Sequence, residues 1–230
     1  MGKSKKIILF IVEGTTDETS LSLILSKLIE KDNTIKFKLV RHDITTEDDV
    51  SSANIISKLS EQVKQFVTSD IYRKNDIIKV IHIIDTDGAF IDETLICHKE
   101  CKIHYTTEKI EVDNVNYIRL RNRKKTEIVN RLITTTSIYN GIPYEIYFFS
   151  CNLEHVLHDK QNVLREEKED YAFEFADKFS KNLEDFIIFI NDSTFAINKG
   201  YKDSWNFIKI ETNSLKRYSN FHLYINNIKK

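Results

Sequence analysis

A single proline and five glycines in 230 residues leave little to punctuate the chain. That excludes collagen-like and Pro- or Gly-rich disordered architectures. Cysteine is scarce too. Its count of three is odd, which argues against a disulfide scaffold. No sign of charge dominates, since 34 Lys and Arg face 35 Asp and Glu, for a net charge of −1. The chain is not a polycation, so contact with nucleic acid must come from a local patch. No apolar run approaches the roughly 20 residues of a membrane span, so no membrane association is expected. The basic start Met1-Gly-Lys-Ser-Lys-Lys leads into an apolar run, Ile7 to Val12, that stops at Glu13. This run is too short for a secretory core, and the expected address is cytoplasmic. No GxxxxGK[ST] occurs, so the chain is not itself a P-loop ATPase.

What is present fits an ordinary globular chain, with 41% hydrophobic and 30% charged residues. At roughly 150 residues per domain, the length suggests one domain with an elaborated tail. Lys5 to Val12 (KKIILFIV) and Ile77 to Ile84 (IIKVIHII) read as strands buried on both faces. Ile35 to Val40 alternates apolar residues with Lys, as a half-exposed strand does. Between them, Glu18 to Ile29 and Val50 to Val67 carry helical stripes. Strand, helix, strand, helix, strand predicts an α/β layer with a mostly parallel sheet flanked by helices. Residues 89–114 lose the pattern and read as an irregular insertion. A short strand is expected over Val115 to Leu120, a basic-starting helix over Lys124 to Thr136, and a strand over Tyr144 to Phe149. Charged and aromatic helices then follow from Asn152 to the end. The expected division is a catalytic domain over 1–160 and a helical C-terminal extension over 161–230.

Four acids stand just past the two most buried strands. Glu13 and Asp17 follow the first, and Asp85 and Asp87 follow the third. In an open α/β sheet, ligands bind outside the carboxyl ends of the strands, so both pairs face one crevice. Converging carboxylates repel unless protons or a cation join them. Hard oxygen ligands suit Mg²⁺ or Mn²⁺, and the matching chemistry is phosphodiester cleavage or transfer. Each motif alone also reads as a turn or a helix cap.

IVEGTTDETSLSLIL followed by VIHIIDTDG resembles the Toprim domain. That domain is shared by topoisomerases, DnaG-type primases, small RNA-maturing nucleases and the overcoming-lysogenization-defect (OLD) nucleases. Its signature is a strand ending in Glu-Gly, here Glu13-Gly14, and a later strand ending in Asp-x-Asp, here Asp85-x-Asp87. An acid four residues after the Glu, as in OLD-like members, is matched by Asp17. Glu154 in Ser150-Cys-Asn-Leu-Glu matches their later helix-start acid. The resemblance implies a Rossmann-like fold in which Glu13, Asp17, Asp85, Asp87 and Glu154 hold Mg²⁺ or Mn²⁺. It makes Glu13, Asp85 and Asp87 catalytic, with Glu13 alternatively a general acid or base. Glu154 alternatively is only a dipole-favoured helix acid. The lysine expected to support the transition state has no clear match, with Lys199 and Lys202 as candidates.

The chain lacks room for a topoisomerase or a primase, so a small nuclease acting on RNA such as tRNA, or on DNA, fits the resemblance. Stand-alone OLD-like members imply a toxic anti-phage effector beside an ABC-type ATPase partner, with a homo-oligomer possible. The alternatives are a latent or non-catalytic subunit docking on such an ATPase, and a housekeeping RNA-processing nuclease. Arg119, Arg121, Arg123, Lys124 and Lys125 form a basic cluster that reads either as phosphate contacts or as a solvated helix start. Cys97, His98, Cys101 and His104 lack a second ligand pair at conventional zinc spacing. Cys151 near His155 and His158 reads as a buried thiol rather than a nucleophile. His82 reads as a core histidine.

Overall fold

The computed structural model describes residues 6–29, 33–39, 43–69 and 73–228, with backbone alone for 33–39 and 69. Lys5 and Val40, counted in the expected strands, lie outside the described residues. In β1 (Lys6–Val12) every residue after Lys6 is buried. Ile7, Leu9 and Ile11 enter one apolar cluster, while Ile8, Phe10 and Val12 enter another. Side chains alternate faces along a strand, so a continuous apolar run demands cover on both sides.

That cover comes from the intervening helices. The chain continues through α1 (Thr15–Leu28), β2 (Asn33–Leu39), α2 (Ile55–Ser69) and β3 (Ile77–Asp85). Three short strands follow, β4 (Ile96–His98), β5 (His104–Tyr105) and β6 (Ile110–Val112). Helix α3 (Val115–Ile133) leads to β7 (Ser137–Ile138) and β8 (Ile142–Phe149). Five helices close the chain: α4 (Leu153–His158), α5 (Lys168–Lys181), α6 (Leu183–Ile190), α7 (Tyr201–Ile208) and α8 (Phe221–Ile228).

The main sheet runs β2-β1-β3-β8-β7, with β2, β1, β3 and β8 parallel and β7 antiparallel at the edge. The architecture is therefore α/β with a mixed sheet between two helical layers. Helices α2, α3 and α7 cover one face, and α1, α4, α5, α6 and α8 cover the other. The residues after 160 belong to this packing. Trp205 stands edge-on against Phe148 at 4.7 Å between ring centroids, and the backbone N–H of Phe148 donates to Asn220 Oδ1.

Two local expectations are corrected. Val115 to Leu120 is not a strand, because one helix runs from 115 to 133. Its buried positions Ile118, Asn122, Lys125, Ile128, Val129 and Leu132 follow the helical period, and Asn114 caps its start by accepting from the Tyr117 N–H. Within 89–114, β4, β6 and β5 form a second sheet over Ile91, Ile96, Tyr105, Ile110 and Val112. It packs on Ile118, Cys151 and Leu215. Among the described residues, no helix is long and apolar enough to cross a membrane.

The strand order positions the site. From β1 the chain steps outward to β2, then crosses back to place β3 on the other flank of β1. The crevice at such a reversal is where open α/β sheets bind ligands.

Candidate functional site

Glu13 is the first residue beyond β1, and Gly14 caps α1 with extended backbone. Asp17, in the first turn of α1, accepts the Gly14 N–H at 3.1 Å. A Cβ on residue 14 would sit 3.2 Å from that same Asp17 oxygen, so the reach-back favours glycine.

The Asp85-Thr-Asp turn is built by its middle residue. Thr86 is buried, and its Oγ1 donates to the Ser214 carbonyl at 2.8 Å and accepts from the Cys151 N–H at 2.8 Å. Anchoring Thr86 inward leaves both aspartates facing the crevice. Asp87 has φ +50° and donates its N–H to the carbonyl of Cys151, itself at φ +60°. Two non-glycine residues in the left-handed region side by side are strained backbone, held by the surrounding structure. Helix α3 clamps the turn. Arg121 Nη2 donates to the Asp87 carbonyl at 2.8 Å, Asn122 Nδ2 to the Gly88 carbonyl at 3.0 Å, and Thr126 Oγ1 to the Ala89 carbonyl at 2.7 Å.

The carboxylates form two groups joined by Asp85. In the first, ligand oxygens of Glu13, Asp43 and Asp87 lie within 4.8 Å of one another. Lys125 Nζ sits among them, 2.6 Å from Asp43 Oδ2, 2.6 Å from Asp87 Oδ2 and 3.7 Å from Glu13 Oε1. In the second, Lys168 Nζ is 2.9 Å from Glu154 Oε2, and Asp17 feels both the Glu154 carboxylate and the Lys168 ammonium. Asp85 experiences charges from both groups. Its N–H donates to Glu13 Oε1 at 3.3 Å, while its Oδ1 is buried with no hydrogen-bond partner. Six carboxylates thus face three cations, Lys125, Lys168 and Arg121.

This imbalance appears in the proton affinities. Burial, then Asp43, pushes the Glu13 carboxyl well above its usual range against the pull of Lys125. Burial, then Asp17 and Asp87, does the same to Asp85. Burial and the nearby Glu154 push Asp17 up to about 7. Asp87 is the exception. Burial alone would raise it, but Lys125 and Arg121 outweigh burial and hold it below the ordinary value. The same carboxylates outweigh burial at Lys125 and keep it charged.

Asp43 was missed in the sequence because it lies in an acid-rich stretch with Glu47, Asp48 and Asp49. A signal was present, since it falls just past β2, a third parallel strand. Its Oδ1 accepts from the Thr45 N–H at 2.8 Å and from Thr45 Oγ1 at 2.5 Å, which fixes its aim. Lys125 and Lys168 were also missed in this role.

Each residue of the basic cluster on α3 bonds within the chain. Lys125 is fully buried, and Arg121 bridges the Asp87 carbonyl and the Tyr105 hydroxyl. Arg119 donates to the Glu93 carbonyl, Arg123 pairs with the Glu93 carboxylate, and Lys124 donates to the Glu47 carbonyl. Lys199 lies over the Phe207 ring. Cys97, His98 and Cys101 bond separately to the carbonyls of Thr94, Asp113 and Glu111. Burial drives the Cys151 thiol pKa well up, and His82 Nδ1 meets the Tyr144 hydroxyl at 2.8 Å.

The donor set fits a hard divalent cation. It is all oxygen, it is over-supplied with negative charge, and it contains a buried carboxylate oxygen without a partner. Glu13, Asp43 and Asp87 are therefore residues that could hold a metal ion. No protein-family profile, curated protein or solved structure matches the chain.

Proposed function

We propose that the chain is a divalent-metal-dependent nuclease of the Toprim type that hydrolyses phosphodiester bonds. One observation carries this reading. Six carboxylates converge at the reversal point of the sheet, and the Asp85 carboxylate between them has a buried oxygen that nothing satisfies. The order of the acids along the chain, Glu13-Gly14 then Asp85-x-Asp87, supports the Toprim resemblance.

In this reading Glu13, Asp43 and Asp87 hold one Mg²⁺ or Mn²⁺, with Asp85, Asp17 and Glu154 available on the other flank. When bound, such an ion neutralises phosphate charge and lowers the pKa of a water. The chain's own groups do the rest. Burial and Asp43 raise the proton affinity of Glu13, which suits its alternative role as a general acid or base in place of a ligand. Lys125 and Arg121 hold Asp87 ionised and aimed, and the Thr86 anchor keeps both aspartates in place. Lys168 keeps Glu154 oriented through their 2.9 Å contact.

The test is cleavage of tRNA and of plasmid DNA by purified protein in Mg²⁺ or Mn²⁺, with Asp85→Ala as control. Cleavage that the substitution abolishes supports the reading and names the substrate. Failure to cleave either, in the presence of a neighbouring ATPase as well as alone, overturns it. An anti-phage role beside an ABC-type ATPase rests on the resemblance alone, and co-expression toxicity tests it.

A further inference from the structure

A cleft of about 690 Å³ opens beside the acid cluster. One wall is the second sheet, through Lys99, Lys102, His104 and Tyr105. The other is the segment from α4 into α5, through Asn162, Leu164, Arg165 and Lys168. Two side chains shared with the acid cluster make the boundary. Lys168 lines the cleft and contacts Glu154, and Tyr105 lines it while its hydroxyl is 3.4 Å from Asp87 Oδ1. The cleft thus borders the acid cluster across these two side chains, although none of the six carboxylates is on its lining.

The walls are tied together. Asn162 pairs with the Tyr105 backbone in both directions, accepting its N–H at 2.8 Å and donating to its carbonyl at 2.7 Å. Gln161 donates to the carbonyls of Thr106 and Leu215. The cleft is therefore built in advance of any ligand, which lowers the ordering cost of binding. Its charge is positive. Glu111 neutralises Lys99, but Lys102 and Arg165 make no hydrogen bond or ion pair among the described residues and stand exposed. Glu166 is the one acid on the lining.

We propose that this cleft is the track of an unpaired nucleic-acid strand, whose phosphates it leads to the acid cluster. This rests on the nuclease reading and specifies its substrate as single-stranded. At about 690 Å³ the cleft lies in the roughly 300–1,000 Å³ range of pockets that enclose a small ligand, room for a nucleotide or two of a splayed strand and not for a duplex. Lys102, Arg165 and His104 offer phosphate contacts, and Leu164, 60% exposed, offers one apolar surface for a base. Two of the polar groups on the lining are already engaged, since Tyr105 turns its hydroxyl to Asp87 and Arg121 and the Asn162 amide is spent on backbone. Binding is thus governed by phosphates, tolerant of sequence and steeply salt-dependent.

The test is fluorescence anisotropy with a labelled oligonucleotide of about 12 residues, single-stranded or annealed to its complement, in Ca²⁺. Wild type is compared with Lys102→Glu/Arg165→Glu, two exposed substitutions outside the acid cluster, and melting confirms that the variant is folded. The expected results are preference for the single strand, a loss of about tenfold or more in the variant, and a salt slope shallower by about 1.4, or roughly 0.7 per lost contact. Equal affinity in the variant, tighter duplex binding, or no binding by wild type overturns the proposal. Parallel cleavage assays separate the two readings. Cleavage undiminished in the double variant would sink the track and leave the nuclease standing. Strand binding lost in the variant, with no cleavage by wild type either alone or with the neighbouring ATPase, would leave the track standing and sink the nuclease.

Discussion

Lys125 is the group on which the acid cluster most depends. Its ammonium is fully buried and within 2.6 Å of two carboxylates, and Glu13 lies 3.7 Å away. Removing one partner of a buried ion pair leaves uncompensated charge and typically costs about 3–5 kcal/mol. Lys125→Met should therefore lower stability by a cost of that order in metal-free buffer, as read by urea unfolding. Mn²⁺ should restore more stability to the variant than it adds to wild type, because the cation replaces the missing charge. A variant as stable as wild type without metal would show that the cluster is already neutralised by protons. His82 behaves oppositely to the carboxylates. Burial drives its pKa down to about 4, so the folded chain holds it neutral while the unfolded chain takes up a proton below about 6.5. Its contribution is complete above that value and is lost as pH falls toward 4, by roughly 3 kcal/mol. Unfolding free energies between pH 4 and 7 should thus show a steeper acid loss in wild type than in His82→Leu.

At the scale of the elements, the turn after β3 is where geometry is least forgiving. Gly88 has φ +68°, and a Cβ there would lie 2.5 Å from Leu215 Cδ2 and 3.0 Å from Ile110 Cδ1. Gly88→Ala should cost about 1–3 kcal/mol from backbone strain. Displacing Leu215, the neighbour of the Ser214 carbonyl that anchors Thr86, adds to that cost. A melting temperature unchanged in Gly88→Ala would contradict this account of the turn. Much of this region was legible in sequence. The apolar runs of β1 and β3 and the acids ending them marked two strands and their open end. What was not legible followed from burial of polar groups. The basic run over 119–125 read as surface because lysine and arginine are seldom buried, yet Lys125 and Arg121 are drawn inward by Asp87 and Asp43. The same bias split α3 into a strand and a helix, since Asn122 and Lys125 interrupt its apolar stripe. Asp43 was hidden in a stretch that also holds Glu47, Asp48 and Asp49.

For the whole molecule, the helices after 160 complete the core. Trp205, 1% exposed and packed on Phe148, joins the cluster that also holds Ile7, Leu9 and Ile11. Trp205→Ala should cost about 3–5 kcal/mol and lower the single unfolding transition of the chain. A separate, early transition confined to the C-terminal part would show instead that it folds independently. The acid cluster couples this global stability to pH and metal. With Asp17 pushed up to about 7, the metal-free folded chain holds a proton that the unfolded chain releases. Stability from this group therefore falls as pH rises from about 4 to 7. A cation at the cluster removes that loss, and its binding competes with protons. Mg²⁺ should raise the melting temperature more at pH 8 than at pH 5. At about 100 times the dissociation constant the gain is about 2.7 kcal/mol, or roughly 5–10 °C for a chain of this size.

The account turns on whether these carboxylates hold a divalent ion, and Mn²⁺ titration followed by electron paramagnetic resonance reads that directly. Wild type should take up Mn²⁺ at neutral pH, with affinity reduced at least tenfold in both Asp87→Asn and Asp43→Asn while each variant remains folded. Wild type that leaves all the Mn²⁺ free in solution, or variants that bind as tightly as wild type, would contradict it.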